Sequence, residues 1–327
     1  MRQNGAVIES ANAVSPSTSV ERRPISGRQV DLEHGAYTAS IASVGASLRF
    51  LRHDGRDLVV PFDADEVRPA FRGAVLAPWP NRVVDGRYTF AGVDHRLALT
   101  EPARGHALHG LAAWAEWELI ASSSSSATFR CIIEAQDGYP FRVQVSTTYT
   151  LDDDGLHTEV EAVNLGDVDA PYGTGPHPYL VAGDGHVDDW TLELPASQVL
   201  TVTPDRLIPV SLEPVDTADT EHFDFRSPRT IGDTFVDHAY TSLGRDADGR
   251  VSVRVTAPSG SGVVMHWGDG LPWVQVHTAD QPVPELDRLG LAVEPMTCPP
   301  DAFSTGTDLV VLAPNTPHRV SWTIAAL

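Results

Sequence analysis

Apolar and polar residues alternate with a period of two along several segments of the chain. The clearest run is FRVQVSTTYTL at 141–151, in which alternate side chains fall on opposite faces of an extended strand. Such alternation predicts half-buried antiparallel strands. Further runs rich in Val, Ile, Thr, Tyr and Phe predict strands at 36–44, 87–92, 127–135, 156–166, 191–195, 250–258, 262–268, 273–279 and 318–327.

Turn-forming residues separate these runs. DDDG at 152–155 and DADG at 246–249 predict hairpin loops, and the serine run at 122–126 predicts a solvated loop between two strands. No segment of a dozen residues sustains the spacing of an amphipathic helix, so a parallel βαβ architecture is not expected. The pattern predicts a single all-β antiparallel sandwich over 27–327, preceded by a flexible N-terminal tail at 1–26.

Charge and cysteine content narrow the classes of partner. The 327 residues include 44 acidic and 23 basic side chains, which gives a formal charge of −21. A surface this acidic repels nucleic acid and anionic lipid. Cys131 and Cys298 alone cannot build a disulfide framework or a four-thiolate zinc site. Because the sequence shows neither a signal-peptide pattern nor a membrane-length apolar run, we expect a cytoplasmic protein, monomeric or homodimeric, with a small-molecule partner.

Four Gly- and Pro-rich segments do not resemble plain strands, and they lie at 73–88, 104–114, 172–180 and 291–303. Their notable residues are Asn81 with Arg82, His106 with His109, His177 before a proline, and Glu294. Each also has a purely structural interpretation. In the same order, these are a turn followed by a surface arginine, two hydrogen-bonded structural histidines, a simple turn at the His-Pro step, and a carboxylate on the solvent face of a strand. The spacing of the two histidines suits a metal, but no third ligand is adjacent. If Glu294 is buried, desolvation raises its pKa.

Five motifs in a fixed order resemble the aldose 1-epimerase (galactose mutarotase) family. They are PWPNR-x-x-x-GRY, LHG, HPYL, FVDHAY and VEPMTCPPDAF. The resemblance implies a galactose-mutarotase-like antiparallel β-supersandwich with an open groove, no cofactor and no metal. The segments APWPNR, LHGL and EPMTCPPDAF depart from typical galactose mutarotases and are closer to a bacterial branch that includes sulfoquinovose mutarotases.

The resemblance also implies roles for individual residues. Glu294 matches the family's general base, and His177 matches its general acid. The residues that match those holding sugar hydroxyls are Arg82, His109 and Asp237, with Asn81 beside them.

The sequence leaves the roles of two tryptophans and two arginines undecided. Trp79 or Trp273 would either stack on the apolar face of a sugar or pack in the core. Arg72 and Arg104 are candidates for contact with an anionic group on C6 of the sugar.

We therefore predict an aldose 1-epimerase that interconverts the α and β anomers of a free hexose or a 6-substituted hexose. A base removes the proton of the C1 hydroxyl while an acid protonates the ring oxygen, so one carboxylate and one imidazole suffice. One alternative is a non-catalytic carbohydrate-binding protein on the same scaffold, which would bind sugar without accelerating interconversion. Another is a glycosidase that uses Asp237 and Glu294 as its carboxyl pair.

Overall fold

The computed structural model describes residues 22–327, and strands dominate this range. Most of the predicted tail, residues 1–21, lies outside the described residues. At the end of that predicted segment, Ser26 is buried and its hydroxyl donates a 2.8 Å hydrogen bond to the carbonyl of Ala64. Within residues 22–327, no helix has both the length and the apolar character that crossing a membrane requires.

The first strands in chain order are β1 (Gln29–His34), β2 (Tyr37–Ala42), β3 (Ser47–His53), β4 (Arg56–Asp57), β5 (Val75–Leu76), β6 (Arg82–Val84), β7 (Arg87–Phe90), β8 (Val93–Arg96), β9 (His106–Leu108), β10 (Glu118–Ser122), β11 (Ser126–Ile133), β12 (Val143–Asp152) and β13 (Gly155–Asn164). The others are β14 (Ala170–Tyr172), β15 (Gly175–Pro176), β16 (Tyr179–Leu180), β17 (Thr191–Glu193), β18 (Ala196–Val202), β19 (Pro209–Pro214), β20 (Arg229–Thr230), β21 (Asp237–Leu243), β22 (Val251–Thr256), β23 (Gly262–Trp267), β24 (Trp273–His277), β25 (Leu291–Met296), β26 (Val310–Leu312) and β27 (Pro317–Ala326).

Helices are short in this part of the chain. They are α1 (Val215–Ala218), α2 (Thr220–Phe223) and α3 (Ala302–Thr305), and single 3-10 turns lie at Pro69–Phe71, Val187–Asp189 and Pro284–Leu286.

Two large antiparallel sheets form the body of the fold. The nine-stranded sheet has the order β10-β11-β12-β13-β27-β23-β22-β17-β20, and the six-stranded sheet has the order β16-β25-β24-β21-β18-β19. Strands β1 to β4 make a separate sheet. Along β12 every second side chain is buried, as its alternating sequence predicts. One hydrophobic cluster includes Val145 of β12 and Ile324 of β27 together with Tyr240 of β21 and Val276 of β24, so both large sheets share one core.

Each of the ten strand predictions falls on an observed strand, and two of the three loop predictions are confirmed. DDDG closes the β12–β13 hairpin through the pair Asp152 and Gly155, and the serine run joins β10 to β11. The hairpin prediction for DADG is wrong. This loop leads from β21 in the six-stranded sheet to β22 in the nine-stranded sheet, and the two strands are not paired.

Trp79 and Trp273 are core residues. Trp79 packs edge-on against Phe303 at 5.5 Å between ring centroids, and its indole donates to the Ala107 carbonyl. Trp273 is also buried, and its indole donates a 2.7 Å hydrogen bond to Asp308. Neither tryptophan lines the cavity described below, so the structure supports the packing alternative rather than sugar stacking.

Candidate active site

One cavity of about 220 Å³ brings together every site residue that the motifs predict. These residues are Asn81, Arg82, His109, His177, Asp237 and Glu294. A larger surface depression of about 460 Å³ beside β7 and β8 contains none of them. The convergence of side chains from five separate motifs, and not cavity size, therefore identifies the candidate site.

Glu294 lies in the middle of β25, an interior strand of the six-stranded sheet. Successive side chains on a strand point to opposite faces, so Val293 enters the main core while Glu294 faces the cavity. Its side chain is only 2% exposed. The alternative of a carboxylate on the solvent face is therefore wrong, and this acid is buried.

His177 lies between β15 and β16 and is fixed by its own backbone. Its N–H donates to the Ala74 carbonyl at 3.0 Å, and its carbonyl accepts from the Gly73 N–H at 2.8 Å. The ring stacks against Tyr179 at 5.1 Å between centroids. These contacts place Nε2 of His177 3.5 Å from Oε1 of Glu294.

His109 and Asn81 both adopt left-handed backbone conformations, with φ of 59° and 52°. The two are joined directly, because the N–H of His109 donates to the carbonyl of Asn81 at 2.8 Å. The ring of His109 meets the ring of His177 edge-on at 4.9 Å. Non-glycine residues with positive φ tend to cluster at functional sites, where surrounding structure enforces them.

His106 behaves differently from His109, although both were candidates. It is fully buried, it does not line the cavity, and its Nε2 lies 2.8 Å from the carbonyl of Arg206. The structural alternative is therefore correct for His106, and only His109 reaches the candidate site.

Arg82 enters the cavity with its guanidinium already oriented. Its Nε and Nη2 donate to the two carboxylate oxygens of Glu101 at 2.8 and 3.0 Å, and both side chains are about nine-tenths buried. Such a two-point ion pair fixes the plane of the guanidinium. Asp301 of the PPDAF segment supports the same strand, because its Oδ1 accepts the N–H of Val84.

Asp237 begins β21 and is held by a residue that the motifs do not mark. The amide of Gln275, on the adjacent strand β24, donates a 2.6 Å hydrogen bond to Asp237 Oδ1. Gln275 and His277 both line the cavity, whereas Val274 and Val276 face the core. The alternation of polar and apolar residues in WVQVHTA is the sequence pattern that could have identified them. A polar residue at alternate positions of an otherwise apolar interior strand marks the face that meets a site.

Phe235 is another cavity-lining residue that sequence reasoning missed. Its side chain is 42% exposed, while the next residue, Val236, is fully buried. In extended backbone, residues two apart share a face, which agrees with the presence of both Phe235 and Asp237 in the cavity wall. Phe235 is the first residue of the FVDHAY motif, in which the resemblance assigns a role only to Asp237.

The cavity shifts the pKa values of its acid and base in opposite directions. Burial raises the pKa of the Glu294 carboxyl well above its usual value, and the negative charge of Asp237 acts in the same direction. Burial also lowers the pKa of His177 to about 3, assisted by the electrostatic effect of His277. Both shifts favour a neutral Glu294–His177 pair that holds one proton.

Asp237 keeps its charge in the same surroundings. Burial alone would raise its pKa, but His277, then Arg82, and then the hydrogen bond from Gln275 lower the pKa below the usual value. The cavity thus combines a neutral, proton-bearing pair with a fixed anion and the fixed cation of Arg82.

Comparison with known proteins identifies the family of the chain. The family model for aldose 1-epimerase matches residues 28–325. The chain is 36% identical over 310 residues to the uncharacterised protein YihR of Escherichia coli K12, which covers 94% of this chain and 96% of YihR. The chain belongs to the aldose 1-epimerase family.

Solved structures show the same fold at lower sequence identity. A GalM/aldose epimerase homologue from C. elegans superposes with a TM-score of 0.79 at 21% identity, covering 92% of this chain and 99% of that one. Galactose 1-epimerase from Lactobacillus acidophilus gives a TM-score of 0.75 at 18% identity, with coverage of 91% and 94%. The galactose-mutarotase-like all-β fold is therefore confirmed.

Proposed function

We propose that this protein is a mutarotase that interconverts the α and β anomers of a free hexose or a 6-substituted hexose by acid–base ring opening. The observation that carries the proposal is the 3.5 Å separation of His177 Nε2 and Glu294 Oε1 at the wall of a polar cavity. The hydroxyl oxygen O1 and the ring oxygen O5 of a pyranose are bonded to the same carbon. Two proton-transferring groups must therefore be close neighbours to serve both oxygens of one sugar.

Ring opening needs one proton to be accepted and one to be given. The reactive form is the one in which the pair's single proton has moved from Glu294 to Nε2 of His177, 3.5 Å away. Glu294, then a carboxylate, takes the proton of the O1 hydroxyl while His177 donates its proton to O5. The C1–O5 bond breaks with its electron pair on O5, and the O1–H pair forms the C1=O1 double bond. Rotation about C1–C2 and the reverse transfers then close the ring on the other face. A pair that holds one proton before opening also holds one proton afterwards, so no outside acid or base is consumed.

The remaining polar groups suit the task of holding hydroxyls in place. The guanidinium of Arg82 is fixed by Glu101, and the carboxylate of Asp237 is fixed by Gln275. Pre-oriented donors and acceptors hold a sugar with little further loss of side-chain freedom. His109 and Asn81 complete the polar wall, and no metal or nucleotide is required by this chemistry.

Two cations support the inclusion of 6-substituted hexoses in the substrate class. Arg104 lines the cavity and donates to Glu101 at 3.0 Å. Arg72 lies 6.0 Å from the ring of the cavity residue Tyr179. An anionic group on C6 that extends toward either guanidinium would gain a charge-assisted hydrogen bond.

The test is NMR exchange spectroscopy of anomer interconversion across neutral, 6-phosphorylated and 6-sulfonated hexoses. We expect acceleration for at least one sugar, and a loss of about 10²-fold or more in Glu294→Gln, since that variant lacks the proton acceptor. Sugar binding, measured by saturation-transfer difference, should persist in the variant. Near-normal exchange in Glu294→Gln would overturn the assignment of the base.

Glu118→Gln is the matched control, because Glu118 is an exposed glutamate on β10, outside the cavity. It should exchange anomers at the wild-type rate. Saturable sugar binding with no acceleration in the wild-type protein would instead indicate a non-catalytic binder, and release of reducing sugar from aryl glycosides would indicate a glycosidase.

A further inference from the structure

Three potential metal ligands meet in the cavity. One ligand atom from each of His109, His177 and Glu294 lies within 4.8 Å of the other two, and all three side chains are buried. Sequence spacing did not suggest this set, because the three residues come from three distant segments. Two imidazoles and one glutamate form a donor set that catalytic zinc sites use.

The spacing of these atoms is close to what a zinc ion needs. Three atoms within 4.8 Å of one another leave a point no farther than about 2.8 Å from each of them, whereas Zn–N and Zn–O bonds are about 2.0–2.2 Å. Side-chain rotations that move each ligand atom by at most about 0.8 Å would therefore give bonding distances to three protein ligands.

The same three residues carry unused hydrogen-bonding atoms. Nδ1 of His109, Nδ1 of His177 and Oε2 of Glu294 are buried and have no hydrogen-bond partner within residues 22–327. Buried polar atoms without partners are uncommon in folded proteins. In a cavity that also admits oxygen atoms of water or sugar, they point to a ligand that can satisfy them.

We propose that His109, His177 and Glu294 bind a single divalent zinc ion, and that zinc thereby inhibits the enzyme. A coordinated ion would occupy the lone pairs that accept the sugar's protons, and it would compete for the space of C1 and its oxygens. The inhibitory part rests on the proposed function, but the binding part does not. Zinc and sugar should therefore compete for the same cavity.

Binding is tested without any sugar. Protein dialysed against chelator is titrated with ZnCl₂ by isothermal calorimetry and, separately, by competition with a chromophoric zinc indicator. We expect one tight site per chain. Affinity should fall by at least about tenfold in His109→Gln, since loss of a residue that only supports a metal ligand already costs about 10–100-fold. Unchanged zinc affinity in His109→Gln would overturn the site.

His106→Gln is the matched control, because His106 is a buried histidine of the same segment that lies outside the cavity. His34→Gln, at a partly exposed position on β1, is the second control should the first variant fold poorly. Zinc affinity that falls in the controls and not in His109→Gln would indicate adventitious binding to other histidines.

Inhibition is then measured by anomer exchange with the sugar that shows the fastest turnover. We expect zinc to inhibit with a constant that matches its calorimetric Kd, chelator to restore the rate, and magnesium to have no effect. Zinc that binds at this site without slowing exchange would overturn the inhibitory part. If no sugar is interconverted at all, the proposed function fails while the calorimetric result still decides the metal site.

Discussion

Gln275 lies directly opposite Glu294 in the antiparallel register of β24 and β25, and its side-chain amide donates a 2.6 Å hydrogen bond to Asp237. Its strand β24 lies between β25, which carries the proposed base, and β21, which carries Asp237. Its own Oε1 is buried and has no partner in the described range. We infer that Gln275 sets the position of Asp237 rather than taking part in proton transfer.

Replacement of Gln275 by Leu should therefore weaken sugar binding more than it slows chemistry. A hydrogen bond to a charged group contributes about 1.5–3 kcal/mol, so KM should rise by about tenfold or more. The turnover number should change by less than this factor, because Glu294 and His177 remain. Steady-state anomer exchange at varied sugar concentration separates the two constants.

Gln144→Leu is a matched control, since Gln144 is a half-buried glutamine inside β12 of the nine-stranded sheet. It should leave both constants unchanged. A fall in turnover with unaltered KM in Gln275→Leu would contradict a positioning role.

Phe235 should contribute to sugar affinity through its exposed ring. An aromatic face packs well against the apolar C–H face of a pyranose, and aromatic contacts of this kind contribute about 1 kcal/mol, which corresponds to about fivefold in KM. Phe235→Ala should therefore raise KM with little effect on turnover. In the wild-type protein the ring should also shift the proton resonances of bound sugar upfield.

Leu212→Ala serves as the comparison, because Leu212 is equally exposed at 42% but lies on the edge strand β19. If Phe235→Ala leaves the sugar's proton shifts unaltered, the ring does not stack on the substrate.

The Arg82–Glu101 ion pair should stabilise the fold in a pH-dependent manner. Burial alone would raise the pKa of Glu101, but hydrogen bonds and charge from Arg82 and then Arg104 lower it below its usual value of 4.5. A lowered folded-state pKa stabilises the protein above the unfolded-state pKa, and this contribution disappears as the pH falls through the folded-state value. Glu101→Gln, which leaves Arg82 without its anion, should cost about 3 kcal/mol at pH 7.

Urea denaturation at several pH values checks this expectation. The difference between wild type and Glu101→Gln should be constant from pH 6 to 8 and should shrink as the solution becomes more acidic than pH 4.5. A difference that grows toward low pH would contradict the sign of the linkage.

Gly110 should be required at its position beside His109 for two separate reasons. Its φ is +74°, and a Cβ atom there would overlap the carbonyl of Ala77. Gly110→Ala should therefore destabilise the fold by the conformational cost of about 1–2 kcal/mol and by the additional cost of moving the backbone. Displacement of His109 should also lower sugar affinity.

Gly92→Ala isolates the first cost, because Gly92 has φ of +79° and open space around its Cβ position. The two variants are compared by chemical denaturation. Equal losses of stability in Gly110→Ala and Gly92→Ala would show that the backbone near Ala77 moves aside at no measurable cost in free energy.

The period-two pattern was sufficient to predict the long strands. In a half-buried strand such as β12, the alternation of residue types along the sequence matches the alternation of buried and partly exposed side chains. The DADG prediction failed because a turn sequence specifies a local reversal of the chain and not the sheet that receives the next strand. The motifs mark Glu294 and His177 as site residues. Gln275 and His277 lie outside the motifs, and Phe235 has no assigned role within FVDHAY. Their importance depends on β21, β24 and β25 being neighbours, and no local sequence pattern specifies that adjacency.

The placement of Asp237, Gln275 and Glu294 on three adjacent strands of one sheet has a consequence for heat inactivation. Interior strands open only when the whole domain opens, whereas loops can melt on their own. These three side chains should therefore keep their positions until the domain unfolds. Activity that disappears before circular dichroism in a heated sample would locate the first change at the segments that carry His109 and His177.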